Sequence, residues 1–327
     1  MKHIKSLVWV SVCFMLLFGV GGSVVFAGET KFPSKPIIFV CPGKVGGGAD
    51  IQSRLVQAIM TRKGIFKGQP IVVLNKGDHA EANIFLLSKK GDPHYVEPTQ
   101  INTFAVALLG ADYDPLKLIP ICNFVLDPYV VVARPETPFK TFEEMVRIAK
   151  GKPNGVTLAS AAIGSNTHMA QLDIEGGAGI KFRAIPFSGG AALHKSVLGG
   201  QTDLAIGNPS DFLASIEAGK LKALVSTGAS RSASSAIKDV PTLKEKGINI
   251  SNAMWRGWHA PPGVSEEHVG LYENALKSVF EDAEFQEKYV APNGSIKAFM
   301  GREEFSRFMK GEHAKLVKYL QGQGMTK

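Results

Sequence analysis

The sequence predicts an α/β protein of two lobes, each built on a doubly wound sheet, with a cleft between them. Strand and helix signals alternate along almost the whole chain, the pattern of parallel strands joined by right-handed helical crossovers. The 327 residues allow two lobes of ordinary domain size, each with its own core. Neither a tandem repeat nor a low-complexity linker separates them. Extended segments near Asn123–Asp127 and Ile250–Trp255 are therefore the expected crossings, giving one lobe from 28–126 plus 255–327 and another from 127–254.

Each element rests on a local signal. Pro36–Cys41 is an unbroken apolar run and reads as a buried strand. Ile51, Leu55, Val56 and Ile59 recur at helical spacing behind Asp50, a good N-cap residue. Pro70–Leu74 is the next strand, and Ala82–Lys90 a helix ending near Gly91. Tyr129–Ala133 reads as a strand, and Thr141 opens the helix Phe142–Ala149 with Glu144 completing a capping box. Val156–Ala159, His168–Glu175, Phe182–Phe187, Ala191–Leu198, Asp203–Ile206, Phe212–Ala218 and Leu221–Ser226 continue as strand, helix and strand in turn. Helices over Glu266–Val290 and Arg302–Gln321 close the chain and are expected to pack on the first lobe.

The first residues read as an export signal. Lys2 and Lys5 precede an uncharged stretch from Leu7 to Ala27, and Val25-Phe26-Ala27 fits the small-x-small cleavage rule. The rival is an uncleaved anchor; either way the remainder is delivered outside the membrane, so a periplasmic location is expected. Cys13 lacks the small residues that precede a lipidated cysteine. Without residues 1–27, which carry Lys2 and Lys5 and no acid, the formal charge of +8 falls by two to +6. Such a surface can steer anions, but its scattered basic residues make no nucleic-acid footprint. Cys41 and Cys122 remain, either as a disulfide or as two buried thiols.

Strand-loop-helix junctions carry the candidate site. Pro42–Asp50 contains Gly46, Gly47 and Gly48 before Ala49 and Asp50. Glycines there let backbone N–H groups converge on an anion at the positive end of the following helix. A Walker loop needs Lys-Ser or Lys-Thr after Gly48, and no frame supplies G-x-G-x-x-G, so nucleotides are disfavoured. The second junction holds Gly164, Ser165, Asn166, Thr167 and His168, which cap a helix and offer donors to an anion; His168 reads first as a packed first-turn residue. Ser188 and Gly189 open another helix, and a fourth candidate loop, Gly207-Asn208-Pro209-Ser210-Asp211, follows the strand ending at Ile206. Thr99, Gln100, Asn102 and Thr103 read equally as a cleft cluster or as a solvated loop. Trp255, Arg256 and Trp258 read first as packing at a crossing, second as a cleft wall. Catalysis finds no support: G-x-S-x-G, H-E-x-x-H and C-x-x-C are all missing, and the histidines from His79 to His313 lack metal-binding spacing. No cofactor or metal is expected.

In this order, the motifs resemble the substrate-binding proteins of tripartite tricarboxylate transporters, the Bug family. They include Gly46-Gly47-Gly48-Ala49-Asp50, Asp114-Pro115, Gly164-Ser165-Asn166-Thr167-His168, Ile185–Gly190, Leu198–Asp203, Ala218–Leu224, Asp239-Val240-Pro241-Thr242 and Gly257–Gly263. The resemblance implies a two-lobed periplasmic binding protein fold that closes on a small carboxylate, held by backbone amides and ordered water. It also implies membrane permease subunits as partners, and a monomer is expected. The rival functions are a ligand-binding subunit of a signalling receptor and a secreted enzyme acting on an organic acid. Ala49 stands where relatives carry Ser or Thr, and Gly207 where many carry Asp. Asn75–Glu81 replaces a glycine-rich loop, leaving Glu81 either facing solvent or accepting a hydrogen bond from a ligand amino or hydroxyl group.

Overall fold

A computed structural model describes residues 32–161, 165–187 and 189–325. The expected signal peptide (1–27) and the candidates Gly164 and Ser188 lie outside the described residues. Strands β1 (Ile37–Pro42), β2 (Ile71–Lys76), β3 (Tyr95–Thr99), β4 (Ile119–Pro128), β10 (Ala253–Ala260) and β11 (Ile296–Met300) form one sheet. Its order is β11-β4-β10-β3-β1-β2. The other sheet is β7-β6-β8-β5-β9, from β5 (Val130–Ala133), β6 (Thr157–Ala161), β7 (Arg183–Phe187), β8 (Leu204–Gly207) and β9 (Lys222–Ser226).

Helices cover both faces of each sheet. Val56, Ile59 and Met60 of α1 (Gly48–Arg62) share one core with Phe39, Val96 and Trp258 of the first sheet. Across that sheet, Ala82 and Leu86 of α2 (His79–Leu87) pack with Val40. Phe104 and Ala105 of α3 (Asn102–Leu108) meet Trp255 and Phe305. Phe305 begins the buried face of the C-terminal helix Arg302–Gly322. In the second sheet Val131 faces α4 (Phe142–Gly151) and α5 (Asn166–Ala178). Val130 and Val132 face α6 (Gly190–Leu198) and α7 (Leu213–Glu217). Burial on both faces explains why β5 is an unbroken apolar run, and each fully buried valine side chain contributes about 1.5–3 kcal/mol. The helix α8 (Glu266–Phe280) packs beside α1 through Val269, Tyr272 and Leu276.

The expectation of purely parallel sheets is corrected. β1–β2, β1–β3, β6–β7 and β6–β8 are parallel, but β10 runs antiparallel to β3 and β4, and β5 antiparallel to β8 and β9. β4 ends at Pro128 and β5 begins at Val130, so the chain changes sheets with no helix between. A strand that arrives without a helical crossover is free to pair antiparallel. The helical block expected over Glu266–Val290 is present, broken after Phe280 and continued by short helical turns over Ala283–Phe285 and Gln286–Val290, whereas the N-terminus expected at Asp50 lies at Gly48. Gly47 is the N-cap, and Asp50 reaches back from inside the first turn to accept the Gly46 N–H at 2.9 Å. Both cysteines are buried free thiols, and burial pushes Cys41 up to about 12.

Candidate functional site

Parallel strands with helical returns leave their connecting loops at the carboxyl ends, where ligands of open α/β sheets bind. The end of β1 leads into Gly43–Gly47 and then α1. Within that loop, the Gly47 N–H bonds the Lys44 carbonyl at 3.0 Å and the Gly46 N–H is taken by Asp50. The amides not used inside the loop are those of Gly48, Ala49 and Asp50, at the positive end of a 15-residue helix.

Arg256 lies against this helix end. Its side chain is 10% exposed; Nε donates to Asp127 Oδ2 at 2.6 Å and Nη1 to Gln100 Oε1 at 3.1 Å. The guanidinium lies 3.5–3.8 Å from where a Gly48 Cβ would stand, in ordinary van der Waals contact with the first turn of the helix. Burial works against the charge of Arg256, but Tyr289, Asp127 and Tyr129 hold it protonated. A register shift between Arg256 and Gly257 marks a bulge in β10, a feature that re-aims side chains. Gly257 itself admits no side chain, because a Cβ would fall 2.3 Å from Phe305 Cζ.

The segment after β3 completes this wall. Gln100 Nε2 lies 2.8 Å from His79 Nε2, and burial lowers the His79 pKa to about 4, so the ring is neutral at neutral pH. Thr99 is buried and shares a 3.0 Å hydrogen bond with Thr103. The cluster is packed more than solvated: Thr99 and Thr103 are buried, Gln100 bridges His79 of α2 and Arg256 of β10, and Asn102 remains half-buried.

From the second sheet, Ser165 caps α5 by accepting the His168 N–H at 3.3 Å, and Thr167 accepts the Ala161 N–H at 2.9 Å. Asn166 Nδ2 reaches Asn102 Oδ1 at 3.5 Å, joining the two sides. Among the described residues, Asn166 Oδ1 and Asn208 Oδ1 are buried without a hydrogen-bond partner, and the Tyr129 hydroxyl is buried close to Asn166. Gly189, at φ 126°, precedes α6. His168 turns to Tyr319 of the C-terminal helix at 2.9 Å, the packed role expected first. Trp255 and Trp258 are fully buried in two cores, as their packing reading expects.

Asp211 ends the fourth candidate loop, Gly207–Asp211, which leads out of β8. Its carboxylate occupies the space that side chains at Gly190 and Gly207 would fill, 2.0 and 3.2 Å from their Cβ positions. Burial raises its pKa, while the Asn208 backbone N–H and the charge of Arg256 act in the opposite direction. Glu81 is exposed and accepts the Gly77 N–H, while its own N–H goes to Asp78; the ligand-contact reading of Glu81 gives way to helix capping. Short-range signals mark Asp211 only as the end of a candidate loop, and Arg256 only as part of a crossing or cleft wall between Trp255 and Trp258. Neither signal assigns a role to the charge itself.

Two sheets joined by crossing strands, with polar loops from both converging at their carboxyl ends, are the architecture of a solute-binding protein. The chain belongs to the tripartite tricarboxylate transporter receptor family: the profile described as "Tripartite tricarboxylate transporter family receptor" matches residues 67–325. It is 27% identical over 292 residues to a UPF0065 protein of Cupriavidus necator, covering 85% of this chain and 84% of that one. A TctC solute binding protein from Polaromonas, solved without ligand, superposes with TM-score 0.75 at 26% identity, covering 89% of this chain and 99% of that one. An R. palustris protein solved with adipate gives TM-score 0.77 at 21% identity, covering 90% and 99%. The family and these neighbours are solute-binding receptors rather than enzymes. Among the described residues, no group of three or more His, Cys, Asp or Glu side chains is placed to hold a metal, and no helix is long and apolar enough to cross a membrane.

Proposed function

We propose that this chain is an extracytoplasmic, monomeric binding protein that captures a small carboxylate between its lobes and delivers it to the permease of a tripartite tricarboxylate-type transporter. The observation that carries the ligand class is the start of α1, where the Gly48, Ala49 and Asp50 amides stand unused beside a buried guanidinium. Backbone donors at a positive helix end are matched to an anion. Asn166 Oδ1 and Asn208 Oδ1, without hydrogen-bond partners among the described residues, are suited to the ordered water or ligand donors of a closed cleft. The adipate in a protein of the same fold is in keeping with a carboxylate.

A thermal-shift screen of the exported portion against a carboxylate library tests this reading. An acid at a hundred times its dissociation constant stabilises the native state by about 2.7 kcal/mol, a shift of several degrees. If no acid in the library raises the melting temperature, the carboxylate reading is wrong.

A further inference from the structure

Arg256 is a cation placed where a cation is unfavourable. Its guanidinium lies against Gly48 at the N-terminus of α1, so a full positive charge meets the positive end of a helix. Asp127 offsets part of this, but its carboxylate is shared with the Ser295 hydroxyl at 2.5 Å. Of the five N–H groups of the guanidinium, one is given to Asp127 and one to Gln100, leaving three without a protein partner among the described residues. With the side chain nine-tenths buried, those donors and the unused α1 amides make a site that an oxyanion would complete. Gln100 fixes the guanidinium from behind and is itself held by the neutral ring of His79.

On the opposite sheet the charge is reversed. Asp211 is wedged between Gly190 and Gly207 at the carboxyl ends of β7 and β8, and it lies within the field of Arg256 although the two belong to different sheets. A carboxylate in that place repels a second carboxylate and accepts a hydrogen bond from a donor.

Taking the carboxylate reading above as its basis, we propose that Arg256 is the direct ion-pair partner of the ligand's carboxylate and that Asp211 receives a donor, hydroxyl or ammonium, at the ligand's other end. The cleft is then selective for hydroxy or amino acids over plain diacids of the same length.

Isothermal titration of the unaltered protein, Arg256→Gln and Asp211→Asn against ω-hydroxy acids, ω-amino acids and α,ω-dicarboxylates, from the propanoate to the hexanoate skeleton, tests this. The unaltered protein should bind at least one hydroxy or amino acid about ten-fold tighter than the matching diacid, and the hydroxy and amino series identify which donor is read. Arg256→Gln should weaken that acid about a hundred-fold, the scale of a buried charge pair. Asp211→Asn should weaken the donor-bearing acid and tighten the diacid. Because Arg256→Gln leaves Asp127 buried without its cation, the double variant Arg256→Gln/Asp127→Asn restores charge balance and serves if the single variant does not fold. Failure of the unaltered protein to bind any acid overturns the carboxylate reading and this one together. Binding that survives Arg256→Gln within about three-fold, a diacid preferred by the unaltered protein, or a preference that Asp211→Asn leaves unchanged overturns this inference and leaves the carboxylate reading standing.

Discussion

Glu97 is completely buried in β3, and neither of its carboxylate oxygens meets a hydrogen-bond partner. Burial raises its pKa well above the ordinary carboxyl range, so the native state holds it protonated while the unfolded chain ionises near 4.5. A raised native pKa gives stability that is full below the unfolded value and is lost as pH climbs from there toward the native value. Glu97→Gln should therefore raise the melting temperature at pH ~7.5 and leave it nearly unchanged at pH ~4, with the gain growing by about 1.4 kcal/mol per pH unit within that window. Thermal melts of both proteins across this range decide it; a gain independent of pH would mean that packing, not ionisation, sets the cost. His259, registered opposite Glu97 on β10, has the reverse sign. Burial lowers its pKa to about 3, so its neutral ring contributes stability above 6.5 that is lost as pH falls toward 3. Neither residue could be read in advance, because desolvation of a side chain depends on elements far away in sequence.

At the scale of elements, the capping box at Thr141 translated directly, whereas the cap expected at Asp50 did not. Thr141 accepts the Glu144 N–H at 3.2 Å, and the Glu144 carboxylate returns to the Lys140 N–H at 2.5 Å. Replacing Thr141 by Ala should cost about 1 kcal/mol, seen as a lower urea midpoint with unchanged slope. Thr141 stands outside the candidate site, so affinity for an acid found in the screen should not change. Of the strands that escaped sequence reading, β11 is a half-buried edge strand, and the other two share polar or proline-containing patterns at buried positions. β3 carries Glu97 and Pro98, which argue against a central strand, yet it pairs on both sides. β10 carries Arg256 and His259 and was read as a crossing with packed tryptophans. Each is a central strand whose polar residues lie under helices rather than in water.

For the whole molecule, two connections link the sheets, a short one at Pro128–Val130 and a longer one from Ser226 to Ala253 that first packs on the second sheet through Thr242 and Leu243. With only two crossings, few backbone torsions need to change for one sheet to rotate against the other. Small-angle scattering with and without a bound acid should show a smaller radius of gyration in the complex, whereas an unchanged radius at saturation would remove hinge closure. Contacts already span the two sides at Asn102–Asn166 and at His168–Tyr319.

By itself the sequence determined the α/β class, the helix starts and the glycine-rich loops, because these follow from periodicity, caps and backbone freedom over a few residues. It also carried the family, through the order of short motifs. Tertiary structure alone decided which loop amides stay unused and which strands run antiparallel. It also brought Gly48, Gln100, Asp127 and Arg256 into one cluster facing Asp211. The cause is physical: burial and Coulomb fields depend on distance in space, and β10 returns from more than two hundred residues beyond β1 to lie two strands away in the same sheet.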